Sequence, residues 1–231
     1  MMSIAENVAQ VRRAIDEAAV KAGRDPREIL LCAATKMNDA DAVRQAIDAG
    51  VDCCGENRVQ ELVQKGKEDA YRGAPVHFIG HLQTNKVRQV VGKVDLIQSA
   101  DRRNLLEALE KEAARQGIIQ DVLLEVNIGG EASKSGFSPR ELMGEVENFG
   151  NYPHLKALGL MAIPPVSEFA GENFEFFSEM RNLFVDIRQK KYDNVSMVHL
   201  SMGMSGDFAD AIACGSTMVR VGTAIFGPRN Y

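Results

Sequence analysis

The 231-residue chain carries 27 Lys and Arg against 32 Asp and Glu, a formal net charge of −5, and 45% of its residues are hydrophobic. That length buries one substantial core, and both charge signs are spread along the whole chain, so no cationic face of the kind a nucleic acid requires is legible. No stretch approaches the ~20 apolar residues that cross a bilayer, and the opening MMSIAENVAQVRR lacks a basic region followed by an apolar run, so a cytoplasmic protein with no membrane partner is expected.

The first segment, 4–22, repeats Ile4, Val8, Val11, Ile15 and Ala18/Ala19 with charges between them, the pattern of an amphipathic helix that ends at Gly23. Short apolar runs follow at 29–34, 51–54, 76–79, 94–98, 122–128, 155–163, 196–200 and 218–221, each too short for a helix. Helical patterns separate them at 40–49, 58–70, 84–91, 103–116, 139–148, 173–190 and 208–214. Alternating β and α elements imply a parallel sheet, and eight apolar strands in a chain of this length favour closure. The expected fold is therefore an α/β protein, a single (β/α)8 TIM barrel with an extra N-terminal helix, spanning residues 1–231 as one domain. In such a barrel the loops after the strands build the functional face.

The cysteines, Cys32, Cys53, Cys54 and Cys214, form no C-x-x-C pair and none stands at zinc-ligand spacing from a histidine, so buried, reduced thiols are expected. His77 and His81 straddle an apolar strand and Gly80 rather than sharing a helix face, and no metal site is expected.

Three features bear on chemistry. Lys36 stands two residues past strand one, at the barrel mouth; desolvation there would favour a neutral amine able to attack an aldehyde, whereas a lysine at a loop can also simply reach solvent. Ser201, Gly203, Ser205 and Gly206 follow strand seven, and Gly222 and Thr223 follow strand eight, the two loops from which barrels most often bind phosphate. Arg220 places a charge inside the apolar run of strand eight, to be met by Glu125, by Asp207 or by a ligand heteroatom. Together they suggest a phosphorylated aldehyde whose ring nitrogen is met by Arg220.

The segments AATK, GENRVQE (55–61), HFIGHLQTNK (77–86), EVNIGGEASKSGF (125–137), GLMAIPP (159–165), LSMGMSGDF (200–208) and VRVGTAIFGPR (219–229), in this order, resemble the pyridoxal phosphate homeostasis family, itself similar to the N-terminal barrel of alanine racemase. The resemblance implies pyridoxal 5′-phosphate (PLP) as cofactor, with Lys36 as its Schiff-base lysine, Ser205, Gly222 and Thr223 on the phosphate, and Arg220 facing the pyridine nitrogen. Ser201 joins the PLP-binding set, and Asn57 and Met161 would line the ring. Lys134 resembles a family lysine near the site, against the ordinary reading of a solvated loop lysine.

A PLP carrier, an amino-acid racemase and a cofactor-free class I aldolase are the rival activities, in that order. An arginine at the ring nitrogen keeps it unprotonated and weakens the ring as an electron sink. A racemase also needs a second base, whereas Tyr71, Tyr152 and Tyr192 fall away from strand ends and Tyr231 is terminal. The expectation is a non-catalytic protein of PLP homeostasis, monomeric because a closed barrel leaves no sheet edge, whose partners are PLP and, transiently, PLP-dependent apoenzymes.

Overall fold

Ser3 accepts a hydrogen bond from the Glu6 N–H while the Glu6 carboxylate accepts one from the Ser3 N–H, and this capping box starts α1 at Ile4–Lys21. The stripe Val8, Val11, Ile15 and Ala19 is buried, as the sequence spacing predicts. It packs on Leu31, Ala33, Val219 and Val221, the outward side chains of the first and last strands, so the extra helix covers the seam where the barrel closes.

The computed structural model describes residues 2–131, 134–165, 169 and 171–228. Eight parallel strands run β1 Leu30–Ala34, β2 Cys53–Glu56, β3 Val76–Phe78, β4 Leu96–Ala100, β5 Gln120–Val126, β6 Leu155–Ala162, β7 Val195–Ser201 and β8 Met218–Val221, and they pair in chain order into a closed barrel. Closure is made by β8 against β1, in the register Leu30 with Met218, Cys32 with Arg220 and Ala33 with Val221. Between the strands lie α2 Ala40–Asp48, α3 Val59–Lys67, α4 Arg103–Gln116, α5 Pro139–Glu147, α6 Phe174–Gln189 and α7 Phe208–Ala213, and α8 Thr223–Phe226 follows β8.

Strand alternation splits the core in two. Cys32, Cys53, Ile79, Leu96, Leu123, Met161 and Met218 fill the barrel interior. A larger cluster, including Cys54, Phe78, Ile97, Leu124 and Leu160, lies between strands and helices. Among the described residues no helix is long and apolar enough to cross a membrane.

Three expectations are corrected. The segment predicted as a helix over 84–91 is a 3₁₀ helix, Thr84–Gln89, whose cap position Gln83 makes no side-chain cap bond and whose Thr84 and Val87 are β-branched, both unfavourable to an α-helix. The second strand lies two residues later than predicted, so Gly55 and Glu56 belong to it. The stretch after strand eight, read as a loop, contains the short helix α8.

Candidate functional site

The turn after β1 presents Lys36, and buried polar groups anchor that turn from outside the barrel. Thr35 is fully buried; its hydroxyl donates to Glu56 Oε1 at 2.5 Å and its carbonyl accepts from Lys65 Nζ at 2.8 Å. Lys65 and Glu56 form a buried ion pair at 2.7 Å, and the Tyr71 hydroxyl adds a bond to the same carboxylate oxygen at 3.2 Å. One residue beyond Lys36, the N–H of Met37, in the left-handed region at φ 62°, donates to Glu61 Oε2 at 2.7 Å. A charged pair held this way fixes backbone geometry even where its net stabilisation is small. Glu56 and Glu61 both come from the GENRVQE segment, so that motif works largely on the Lys36 turn.

Lys36 is half-buried. It lines a cavity of ≈ 190 Å³ together with Ala34, Asn38, Gly222, Thr223 and Phe226. Because β8 pairs with β1, the residues just past each strand are neighbours, and the two segments singled out in the sequence meet at one mouth. Gly222 is the residue before α8, and the Ala224 N–H reaches Ser205 Oγ at 3.5 Å, which brings the loop after β7 to the same place. The glycines of that loop have different reasons. Gly203, at φ +93°, would place a Cβ 2.7 Å from Ala211 Cβ, so it serves the packing of α7, whereas a Cβ at Gly206 meets nothing within 4 Å.

Arg220 is 4% exposed and points into the barrel. Its Nη1 donates to Ser201 Oγ at 2.6 Å and its Nη2 to the Ala162 carbonyl at 2.9 Å. Its hydrogen bonds go to these groups and not to Glu125 or Asp207, the carboxylate partners considered from the sequence; Asp207 instead accepts from Asn173 and from the Met204 N–H. Burial pushes the guanidinium's pKa down, while Cys32, Glu125 and Asp207 counter that from a distance. Ser201 stands behind the arginine, with its own hydroxyl donating to Gln98 Oε1 at 2.7 Å. Ser201→Ala is expected to destabilise the fold by about 1.5–3 kcal/mol, the range for a hydrogen bond to a charged group. Urea unfolding measures this, and an unchanged midpoint would mean that Arg220 does not depend on Ser201.

A second cavity of ≈ 230 Å³ opens at the same end, lined by Asn57, Ile79, His81, Glu125, Lys134 and Ile163 among others. Asn57 Oδ1 is buried there with no hydrogen-bond partner among the described residues, and a ligand donor would satisfy it. Burial raises the Glu125 carboxyl to about 7, with Asp101 adding to the shift and Arg220 and Arg102 opposing it. Met161 is fully buried beneath, in register with Glu125 and Ser201 on the neighbouring strands. Lys134 is not the solvated lysine of the ordinary reading: it is half-buried, pairs with Glu131 and donates to the Pro164 carbonyl at 3.1 Å.

Residues Lys36, Ser205, Gly222 and Thr223 thus meet at one side of the mouth and Asn57 lines the other, while Arg220, Ser201 and Met161 lie deeper. Glu125 and His81 line the site without having been assigned a part in it; the available signal was their position at the C-terminal face, Glu125 near the end of β5 and His81 in the loop after β3. Tyr71 and Tyr152 lie outside the barrel, their hydroxyls on Glu56 and Glu145. Tyr231 falls outside the described residues. The set fits a phosphorylated pyridine aldehyde: an amine beside a small polar cradle, an orphaned amide oxygen, and a buried cation with no carboxylate.

Comparison with known proteins agrees with this chemistry. The family model described as the alanine racemase N-terminal domain matches residues 2–230. The chain is 42% identical over 230 residues to the pyridoxal phosphate homeostasis protein of Aquifex aeolicus, covering all of both chains. It is 43% identical over 235 residues to the protein of the same name from Escherichia coli K12, covering all of this chain and 99% of that one. The PipY protein of Synechococcus elongatus PCC7942, solved with PLP bound, superposes with a TM-score of 0.83 at 32% identity, over 97% of this chain and 100% of that one.

Proposed function

This chain belongs to the alanine racemase N-terminal-domain family, among its pyridoxal phosphate homeostasis proteins, and from that premise we propose that it binds PLP at the C-terminal mouth of its barrel and holds it without turning over a substrate. The observation that carries the reading is the meeting of Lys36 with Gly222 and Thr223 on one small cavity. PLP supplies an aldehyde carbon that an amine can capture reversibly, and Lys36 is the amine that shares a cavity with Gly222 and Thr223. Thr223 and Ser205 offer hydroxyl donors, and Gly222 offers backbone without a side chain, for the phosphate. Asn57 and Met161 would bound the ring.

Arg220 shapes what the site can do. A guanidinium only donates hydrogen bonds, so a ring nitrogen facing it has to accept and stays unprotonated. With two of its nitrogens already committed to Ser201 and Ala162, Arg220 is held rather than free to move protons. Two-sided proton transfer needs a second base opposite Lys36, and the hydroxyls of Tyr71 and Tyr152 are committed to glutamates outside the barrel. The names of the relatives, which are homeostasis proteins, support the same reading. On it, residues 1–231 act as one PLP-binding barrel, a monomer that meets PLP-dependent apoenzymes transiently in the cytoplasm.

The test is turnover. PLP-loaded protein incubated with L-alanine in deuterated water is expected to release D-alanine far more slowly than the ~1 s⁻¹ at which ordinary enzymes work. Racemisation at that rate or faster would restore the racemase reading.

A further inference from the structure

Spacing along the chain hides one cluster that the barrel creates. Cys32, Cys53 and His77 come from β1, β2 and β3, some twenty residues apart in sequence, and parallel pairing sets them side by side: Cys32 is in register with Cys53, and Gly55, two residues on, with His77. One ligand atom from each lies within 4.8 Å of the others, and all three residues are buried, at 0%, 2% and 7% exposure. Zinc-finger spacing rules describe ligands from local turns, which is why reading the histidines and cysteines by separation finds nothing here.

From this geometry we propose that the barrel floor is a binding site for one Cu(I) ion, held by the thiolates of Cys32 and Cys53 and the imidazole of His77. Ligand type points to a soft ion, since two sulfurs and an imidazole with no carboxylate among them select Cu(I) or zinc over hard cations. Coordination number separates those two. Structural zinc is almost always four-coordinate, whereas this cluster offers three ligands in a closed interior; beside it stand the Gln98 amide, 2.9 Å from His77 Nδ1, and the soft thioether of Met218, 3.1 Å from that amide nitrogen.

Charge balances as well. Binding replaces two thiol protons, which leave to solvent, with one Cu(I), so the site becomes a monoanion. Arg220, buried and hydrogen-bonded to Ser201 and the Ala162 carbonyl with no carboxylate partner among the described residues, sits on the adjacent strand in register with Cys32 and supplies the compensating positive charge. Leu30, which precedes Cys32 on the same face of β1, lines a cavity of ≈ 840 Å³ at the end of the barrel opposite Lys36, so one side chain of the floor separates the cluster on that strand from an open cavity. The thiols have no other covalent commitment, because all four cysteines are free.

The experiment titrates the reduced, full-length protein anaerobically with Cu(I) in competition with a chromophoric Cu(I) chelator. One ion per chain is expected. Loss of a supporting outer residue typically costs a metal site 10–100-fold in affinity, so Cys32→Ala and Cys53→Ala should each weaken binding by about 100-fold or more. Cys54→Ala, which removes a thiol that faces the helices instead, should leave it unchanged. Because substitutions in the barrel interior can also unfold the protein, copper-edge X-ray absorption on the wild-type chain is the second measurement, with two sulfurs and one nitrogen expected in the first shell. Absence of stoichiometric Cu(I), a shell without two sulfurs, sensitivity to Cys54→Ala equal to that of Cys32→Ala, or uptake of Zn²⁺ but not Cu(I) would each overturn the proposal. None of these readouts depends on PLP.

Discussion

Lys36→Ala is expected to abolish covalent attachment of PLP while leaving the barrel folded. The side chain is half-buried in a turn beyond β1, outside the packed interior, so its removal opens no core cavity. The turn itself is held by other groups: the Thr35, Glu56 and Lys65 network on one side and Glu61 on the Met37 N–H on the other. Stability should fall by less than about 1 kcal/mol, as for substitutions that touch none of the strongly destabilising features. Borohydride treatment of PLP-loaded protein followed by mass measurement reads the covalent fraction, and circular dichroism melting reads the fold. A variant that keeps a stoichiometric reducible adduct would show that another amine does the work.

Gly222→Val is expected to be the most damaging substitution in the phosphate cradle, and the fold should accept it. Gly222 has φ −118° and ψ −73°, outside the left-handed region that favours glycine, and a Cβ there would sit 3.4 Å from Ala34, at the near edge of ordinary contact. The branched side chain would instead occupy the cavity shared with Lys36. Ser205→Ala and Thr223→Ala should each cost about 1.5–3 kcal/mol, the value of one hydrogen bond to a charged acceptor. Blocking approach of the backbone removes at least two such bonds, so Gly222→Val should weaken PLP about 10²-fold or more, with 1.4 kcal/mol for each tenfold. Pyridoxal, which lacks the phosphate, should bind wild type far more weakly and lose little further on substitution. Equal losses for the two compounds in equilibrium dialysis would refute the cradle.

How much of this was legible in the sequence depended on the range over which each signal acts. Alternation of apolar runs and amphipathic segments is a local pattern, and it located the eight strands and the closing order because a barrel buries both faces of every strand. Boundaries failed where a local rule was overridden: Gly55 and Glu56 extend β2 although neither is a strand former, because β1 and β3 supply partners on both sides. The pocket between Lys36 and Gly222 was accessible since closure makes the first and last strands neighbours.

What could not be read was side-chain depth. Arg220 and Ser201 are buried near the ends of β8 and β7 and bond to each other, which no spacing announces. Lys134 turns back onto Pro164, and Glu56 and Lys65 pair out of sight of solvent, through contacts that exist only once the strands are assembled. The Cys32, Cys53 and His77 cluster belongs to the same class, since register between three strands created it.

The central claim is that Lys36, and not another amine, holds the cofactor. Wild-type protein loaded with one equivalent of PLP, reduced with borohydride, digested and sequenced by mass spectrometry should carry the pyridoxyl group on the peptide containing Lys36. Recovery of the label chiefly on Lys134, the other lysine lining a cavity at this mouth, or spread over surface lysines, would contradict the account.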